Sequence, residues 1–144
     1  MGIFKQNESK PQGFRLDRTD LLAQVKYNAD GLVPAIAQHY DTGEVLMLAW
    51  MNAEALAETL NTGRVCYWSR SRTGLWRKGE SSGQVQVLKS ARIDCDGDTL
   101  LLAVDQTGPA CHTGRRNCFF YKFEPDSVVI DGEVLIDPST LYHK

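Results

Sequence analysis

The sequence predicts a single α+β domain in which a mostly antiparallel β-sheet is accompanied by a few short helices. Two observations carry this prediction. Short apolar runs bounded by Gly, Asp and Asn recur along the second half, and stretches of the first half place leucines on one helical face. The chain has 144 residues and no internal repeat, which fits one domain with its own core.

The first half of the chain combines helix and strand signals. Residues 1–15 are polar and interrupted by Pro and Gly, so we expect a flexible N-terminal tail. Thr19 or Asp20 is expected to cap a first helix, and Asn52 a second, which ends at Gly63. The predicted elements are a helix over Asp20–Tyr27, a strand pair over Leu32–Tyr40 and Val45–Trp50, and a helix over Ala53–Asn61.

The second half is β-rich. Asp131 and Gly132 lie between apolar runs, a pattern that favours a tight hairpin turn. Residues 126–144 are therefore expected to add a β-hairpin extension to a core domain over residues 16–125. The candidate strands and apolar runs are Val65–Trp68, Val85–Ile93, Leu100–Val104, Cys118–Phe123 and Val128–Ile136.

Charge and composition exclude several classes of protein. The net charge is −2, so no strong overall field attracts nucleic acid, and no nucleic-acid partner is expected. No apolar stretch approaches the roughly 20 residues of a membrane span, so no membrane is expected either. The N terminus lacks the apolar core of a secretory signal, so the expected location is the cytoplasm, where cysteines stay reduced or bind metal.

An acidic turn, Asp94-Cys95-Asp96-Gly97-Asp98, carries the first chemical signal. Its Asp-Gly pair favours a hairpin turn, which needs no ion. Three carboxylates at one turn repel one another, however, and a hard cation such as Mg²⁺ would relieve that repulsion. Alternate residues of a strand point to opposite faces, so Asp94 and Cys95 are expected to face apart, with oxygen ligands on one side and a thiol on the other.

A second cluster follows at residues 109–118, where Cys111, His112 and Cys118 surround a glycine and two arginines. The cysteine spacing is wider than in a zinc finger. With Cys95 the chain offers three thiols, and three protein ligands with one open position are typical of a catalytic zinc. Cys66 could supply a fourth ligand, although its apolar surroundings favour a buried structural thiol.

The polar residues of this loop have alternative roles. His112 could be a metal ligand, a general base or a satisfied polar residue. Arg115 and Arg116 could favour the thiolates that bind metal, or could be surface charges.

A basic, hydroxyl-rich segment spans residues 69–83. Guanidinium groups, hydroxyls and exposed amides are the donors that a phosphate group needs. The segment could also be a solvated loop, or could contact RNA through a stacked tryptophan. Its candidate ligand-binding residues are Arg70, Arg72, Trp76, Arg77 and Lys78.

The residues also resemble a known family. The runs LVPAIAQ, TGEVLMLAWMN, SRSR, LWRKGE, SG, DCDGD and QTGPACHTGRRNCF, in this order, are similar to those of the phosphoribosyl-AMP cyclohydrolases of histidine biosynthesis. The resemblance covers roughly residues 31–120. It implies hydrolysis of the N1–C6 bond in the adenine ring of 1-(5-phosphoribosyl)-AMP, which yields a phosphoribosyl-formimino-carboxamide intermediate.

The resemblance further implies a homodimer with two kinds of metal ion. One Zn²⁺ per subunit would be bound by Cys95 of one chain and by Cys111 and Cys118 of the other. The turn of Asp94, Asp96 and Asp98 would bind Mg²⁺. His112 would transfer a proton. Substrate binding would fall to Arg70, Arg72, Trp76, Arg77, Lys78, Arg115 and Arg116.

Two other functions fit parts of the pattern. A zinc-dependent nucleobase deaminase would show H-x-E and P-C-x-x-C motifs, whereas His112 is followed by Thr113 and Gly114. A non-enzymatic zinc or RNA-binding module would close its zinc with four thiolates, including Cys66.

Overall fold

The computed structural model describes residues 2–141 and has the predicted α+β architecture, with mostly strands and a few short helices. The elements are α1 (Ile3–Asn7), α2 (Arg18–Leu22), β1 (Val33–His39), β2 (Val45–Met51), α3 (Ala53–Thr62), β3 (Cys66–Ser69), β4 (Gly74–Arg77), β5 (Gln86–Ile93), β6 (Leu100–Gln106), β7 (Tyr121–Phe123), β8 (Val128–Ile130) and α4 (Pro138–Leu141). None of the helices in the described range is long and apolar enough to cross a membrane.

Six strands form one curled, mixed sheet in the order β4-β3-β2-β1-β6-β5. Neighbouring strands are antiparallel except β1 and β6, which run parallel. The prediction of a mostly antiparallel sheet is thus confirmed, with one parallel pair added where the chain returns to the middle of the sheet. A bridge between Arg64 and Val87 links the segment before β3 to β5, so strands that are far apart in the sheet order approach each other.

The core lies between the curled sheet and α3, which contacts β2, β3 and β5. The local signals predicted for α3 are confirmed. The Asn52 side chain accepts a hydrogen bond from the Ala55 N–H at 2.8 Å, and Gly63 ends the helix with φ at +77°. Fully buried side chains of the sheet complete the core, among them Val33, Ala35, Leu46, Met51, Tyr67, Leu102 and Val104.

Strand β6 separates the two chemical clusters. The acidic turn at residues 94–98 precedes β6, and the cysteine loop at residues 109–118 follows it. β6 has 7 residues, and at roughly 3.3 Å per residue its two ends lie about 20 Å apart. Within one chain, the two clusters are therefore attached to opposite ends of this strand.

The N-terminal segment differs from the expected flexible tail. Ile3 is only 8% exposed, and its N–H donates to the Gln24 side chain at 2.8 Å. Phe4 of α1 lies against Gly97 in the acidic turn. The next helix also begins earlier than predicted, because the Asp17 side chain caps it by accepting a hydrogen bond from the Asp20 N–H at 3.0 Å. The start of the tail thus contacts the rest of the domain at residues 3 and 4, whereas residues 8–16 are exposed.

The basic segment and the C-terminal extension also differ from expectation. No strand was predicted in the basic segment, but β4 forms there because it pairs with β3 along its whole length. A C-terminal hairpin is present, but its turn lies at residues 124–127, between β7 and β8, and not at Asp131-Gly132. The Asp131 N–H instead donates to the Phe120 carbonyl at 2.7 Å and so extends the pairing. Residues 142–144 of the predicted extension lie outside the described residues.

Candidate active site

Cys111 and Cys118 are brought together by a tight loop. The Cys111 N–H donates to the Arg115 carbonyl at 3.1 Å, and Gly114 turns the chain with φ at +85°. The Cys118 N–H then donates to the Leu46 carbonyl at 2.8 Å, which ties the second cysteine to β2. The loop thus presents two thiols from positions seven residues apart.

The two thiols share a partly desolvated environment. Burial raises the pKa of the Cys118 thiol to about 12, and the neighbouring Cys111 acts in the same direction. Thr113 donates a hydrogen bond from Oγ1 to the Cys111 Sγ at 3.1 Å. The raised pKa favours the protonated form of the Cys118 thiol. A metal that binds soft thiolates would displace their protons.

A cavity of about 350 Å³ is bounded by the basic segment and His112. Its polar lining includes Arg72, Lys78, Ser81 and Ser82. His112 is an exposed residue that lines this cavity and is next in sequence to the buried Cys111. Hydroxyls, a guanidinium and a histidine in one cavity are the kinds of donor that suit an anionic ligand.

The other predicted cations have protein partners. Arg77 borders the same cavity, but its guanidinium makes two hydrogen bonds with the Glu58 carboxylate, at 2.7 and 2.9 Å. Arg70 lies over the Trp50 ring at 4.9 Å, beside a separate open cleft that Trp76 also borders. The Arg77 side chain is thus bound to α3, and the Arg70 side chain lies against the sheet.

The two arginines of the cysteine loop stabilise that loop. Arg115 donates from Nε to the Gly132 carbonyl at 2.9 Å, and its guanidinium lies 4.1 Å from the centre of the Phe120 ring. Arg116 is exposed and lies 3.8 Å from the Glu44 carboxylate. They line a different, smaller cavity of about 190 Å³.

The three aspartates of the acidic turn are gathered as predicted. Ligand oxygens of Asp94, Asp96 and Asp98 all lie within 4.8 Å of one another, and the three residues are exposed. Partial burial opposes ionisation of Asp94, but hydrogen bonds from the Asp98 and Thr99 backbone outweigh it and lower the pKa of Asp94. Hydrogen bonding to its acidic neighbours raises the pKa of Asp96. Crowded oxygen ligands of this kind fit a hard divalent cation.

Cys95 lies in this acidic turn and not beside the thiol pair. Within residues 2–141, the aspartates form the only group of three side chains with metal-ligating atoms that close together. Neither Cys95 nor Cys66 therefore completes a trio with Cys111 and Cys118 in a single chain. Cys66 is fully buried in β3, where burial raises the pKa of its thiol to about 11.

A buried polar network that the sequence did not reveal lies close to the thiol pair. The Tyr67 hydroxyl donates to Gln86 Oε1 at 2.7 Å, and Gln86 Nε2 donates to Gln106 Oε1 at 2.9 Å. Gln106 in turn donates to the carbonyls of Gln84 and Thr107, where the loop toward the cysteines begins. The sequence pattern that could have predicted this network is the presence of glutamines within apolar strands, since a buried side-chain amide needs a hydrogen-bond partner.

Fold and site together define a small α+β protein with a polar cavity lined by basic and hydroxyl side chains, a loop that carries two adjacent thiols, and an acidic triad elsewhere on its surface. Residues 47–120 match the phosphoribosyl-AMP cyclohydrolase family. Two relatives named phosphoribosyl-AMP cyclohydrolase, from Alkalilimnicola ehrlichii and Alcanivorax borkumensis, are 63% and 61% identical over 142 residues, which is 99% of this chain and 100% of each relative. A third, from Paramagnetospirillum magneticum, is 64% identical over 129 residues, 90% of this chain and 98% of the relative. The chain belongs to the phosphoribosyl-AMP cyclohydrolase family.

Proposed function

We propose that this protein is a phosphoribosyl-AMP cyclohydrolase, which hydrolyses the N1–C6 bond in the adenine ring of 1-(5-phosphoribosyl)-AMP in histidine biosynthesis. The observation that carries the proposal is the cationic cavity with His112 at the thiol pair, in a chain that matches its relatives over nearly its whole length. Substitution at N1 leaves C6 electrophilic, so the protein must deliver water to C6 and move protons. The substrate carries two phosphates, which the protein must also hold.

The phosphates of the substrate are assigned to the cavity of the basic segment. Arg72 supplies an exposed guanidinium there, and Ser81 and Ser82 add hydroxyl donors. Arg77 is held by Glu58, so it shapes this wall of the cavity, and Trp76 supplies an apolar surface beside it.

Zinc is the metal that fits the thiol pair. Cys111 and Cys118 are adjacent soft ligands, and the third ligand of the proposed site is Cys95 of the partner subunit. Zinc, when bound, lowers the pKa of a coordinated water to about 7 and so supplies an activated water at neutral pH. Three thiolates leave one coordination position for that water.

His112 is the proposed proton-transfer group. Its imidazole lies on the rim of the cavity, next in sequence to a thiol ligand and exposed to the ligand space. A ring nitrogen in that place can accept a proton from the attacking water and return it to the substrate when the N1–C6 bond breaks.

Magnesium is proposed for the acidic turn. The carboxylates of Asp94, Asp96 and Asp98 supply oxygen ligands at a turn that α1 buttresses through Phe4. A divalent cation there would neutralise their mutual repulsion and could bind substrate phosphate.

The proposed active unit is a homodimer. Cys95 and the thiol pair are attached to opposite ends of β6, so one zinc can reach all three only if two chains contribute. A second copy is also the proposed partner of the β7–β8 arm, which begins three residues after Cys118 and whose six strand residues are all exposed. A two-stranded hairpin is marginally stable alone, and exposed apolar clusters mark interfaces. Its exposed side chains and those near it include Phe119, Tyr121, Phe123, Val128, Val129, Ile130, Val134 and Leu135.

An assay of the purified protein with phosphoribosyl-AMP, before and after zinc chelation, tests the function. We expect ring opening that stops on chelation and returns with added zinc, and no reaction with AMP, which lacks the N1 substituent. Absence of turnover in protein with one zinc per subunit would contradict the proposal. Conversion of AMP to IMP would favour a deaminase instead.

A further inference from the structure

Glu80 lies in a tight loop in the wall of the cavity. The Glu80 N–H donates to the Arg77 carbonyl at 3.0 Å, and the Gly83 N–H donates to the Gly79 carbonyl at 2.8 Å. Gly79, with φ at +84°, packs so closely on residues 84–85 that it leaves no space for a Cβ. The backbone of this loop is therefore fixed, and Glu80 is an exposed residue that lines the cavity.

The charge of Glu80 is opposite to that of its surroundings. Within the described part of the chain, it is the only carboxylate that lines this cavity, where Arg72, Arg77 and Lys78 supply positive charge. Arg77 pairs with Glu58, and none of the described lysines and arginines lies within ion-pair distance of Glu80. A carboxylate repels phosphate. The part of a ligand that suits Glu80 is therefore a cation or a hydrogen-bond donor.

The purine of the proposed substrate carries such a group. An adenine substituted at N1 has no lone pair left there, and its protonated form is an amidinium whose charge is spread over N1, C6 and N6. The ring of AMP, which lacks the substituent, is neutral at neutral pH. A carboxylate that accepts a hydrogen bond from the N6–H group binds the cation more tightly than the neutral ring. By favouring the cation, it also keeps C6 electrophilic, in a cavity that His112 lines as well.

We propose that Glu80 is a substrate-binding residue that recognises the cationic N1–C6–N6 edge of the purine and so distinguishes phosphoribosyl-AMP from AMP. The inference rests on the proposed function, since it takes the reacting purine to lie in this cavity. It gives two residues of the cavity wall separate tasks: Arg72 binds phosphate, and Glu80 selects the N1-substituted base.

The test compares the binding of N1-methyl-AMP and AMP to the full-length protein by calorimetry. Both ligands have one phosphate, and they differ in the N1 substituent and in the charge that it allows. We expect the unmodified protein to prefer N1-methyl-AMP. Glu80→Gln should lose about 10-fold or more in affinity for N1-methyl-AMP, the usual effect of removing the charge from a hydrogen-bonded pair, with little change for AMP. Its KM for phosphoribosyl-AMP should rise accordingly.

Three further variants separate charge recognition from other effects. Glu80→Asp, which keeps the charge, should retain more of the preference than Glu80→Gln. Arg72→Met should leave the ratio of the two affinities unchanged, because both ligands carry the phosphate. Glu54→Gln makes the same substitution at an exposed position of α3 and should change neither affinity.

The inference would be overturned by an unmodified protein without the preference, or by an equal loss of both affinities in Glu80→Gln. A fall in kcat with an unchanged preference would also overturn it, since Glu80 would then act in the chemical step alone. The calorimetry needs no turnover. Failure of the unmodified protein to convert phosphoribosyl-AMP would therefore contradict the proposed function separately.

Discussion

Cys111, Cys118 and Cys66 differ in what surrounds their sulfur atoms. The first two adjoin each other in the cysteine loop, whereas Cys66 lies inside β3, where its backbone N–H and carbonyl both bond to the Thr59 hydroxyl. A thiol enclosed in the core cannot reach a metal held at the loop. The surroundings of the sulfur atoms thus fit Cys111 and Cys118, and not Cys66, to the proposed zinc.

The first prediction contrasts these positions. Cys111→Ser should lose zinc, because a serine hydroxyl is a harder and weaker ligand than a thiolate. Cys66→Ala should keep one zinc per subunit, because its sulfur contributes only to packing. Elemental analysis of the purified variants provides the measurement. Full zinc content in Cys111→Ser would remove that residue from the ligand set.

His112 allows a second prediction at the same scale. His112→Ala should retain zinc and the oligomeric state but lose about 10²-fold or more in turnover, the usual magnitude of general acid–base catalysis. His39→Asn is the matched control, since His39 caps the β1–β2 turn by accepting hydrogen bonds from the Asp41 and Thr42 amides. Near-normal turnover of His112→Ala at saturating substrate would make this histidine a bystander.

Among the secondary-structure elements, the β5–β6 turn combines structural and chemical duties. The Asp94 side chain accepts hydrogen bonds from the Asp98 and Thr99 amides at 3.0 and 3.2 Å and so forms the turn itself. Asp96 receives no such bond from the described backbone and contacts its acidic neighbours. It is therefore the carboxylate that can be altered with the least damage to the turn.

The third prediction follows from that difference. Asp96→Asn should lose the Mg²⁺ dependence of activity while it retains zinc, because one carboxylate charge is removed from the triad. Asp41→Asn, at an exposed turn away from the site, provides the control. Activity is measured over a range of Mg²⁺ concentrations, with circular dichroism to verify the fold. An unchanged Mg²⁺ response in a folded Asp96→Asn protein would exclude the triad as the magnesium site.

For the whole molecule, the decisive feature is the length of β6 between the acidic turn and the cysteine loop. A site that uses Cys95, Cys111 and Cys118 must then combine two chains. In a heterodimer of Cys95→Ser and Cys111→Ser chains, one of the two zinc sites contains both serine substitutions. The other site receives an intact Cys95 and an intact loop, so it is whole.

The fourth prediction is therefore complementation between two inactive variants. Cys95→Ser and Cys111→Ser chains, refolded together, should recover part of the zinc content and activity that each lacks alone. Differently tagged chains allow the heterodimer to be isolated before the assay. Heterodimers without zinc or activity would contradict a shared site. If each site lay within one chain, every site in the heterodimer would lack one cysteine ligand.

Local sequence signals predicted many of the elements. The β1–β2 hairpin and α3 with its Asn52 cap form as predicted, because turn residues and caps act on their immediate neighbours. Strand β4 was missed, since its stability comes from pairing with β3 and not from its own basic, glycine-containing composition. The C-terminal turn was misplaced because Arg115 and Phe120 hold Gly132 within the loop packing.

The sequence by itself determined the chemical inventory of this protein: two thiols and a histidine in one loop, three carboxylates in one turn, and a basic segment with hydroxyls. Only the tertiary structure decided how these groups are used. It joined Arg77 to Glu58, buried Lys78 in the wall of the basic cavity and attached Cys95 to the far end of β6. The reason is physical: residue types and short spacings are local properties, whereas burial, ion pairing and distance depend on contacts between segments that the fold brings together or keeps apart.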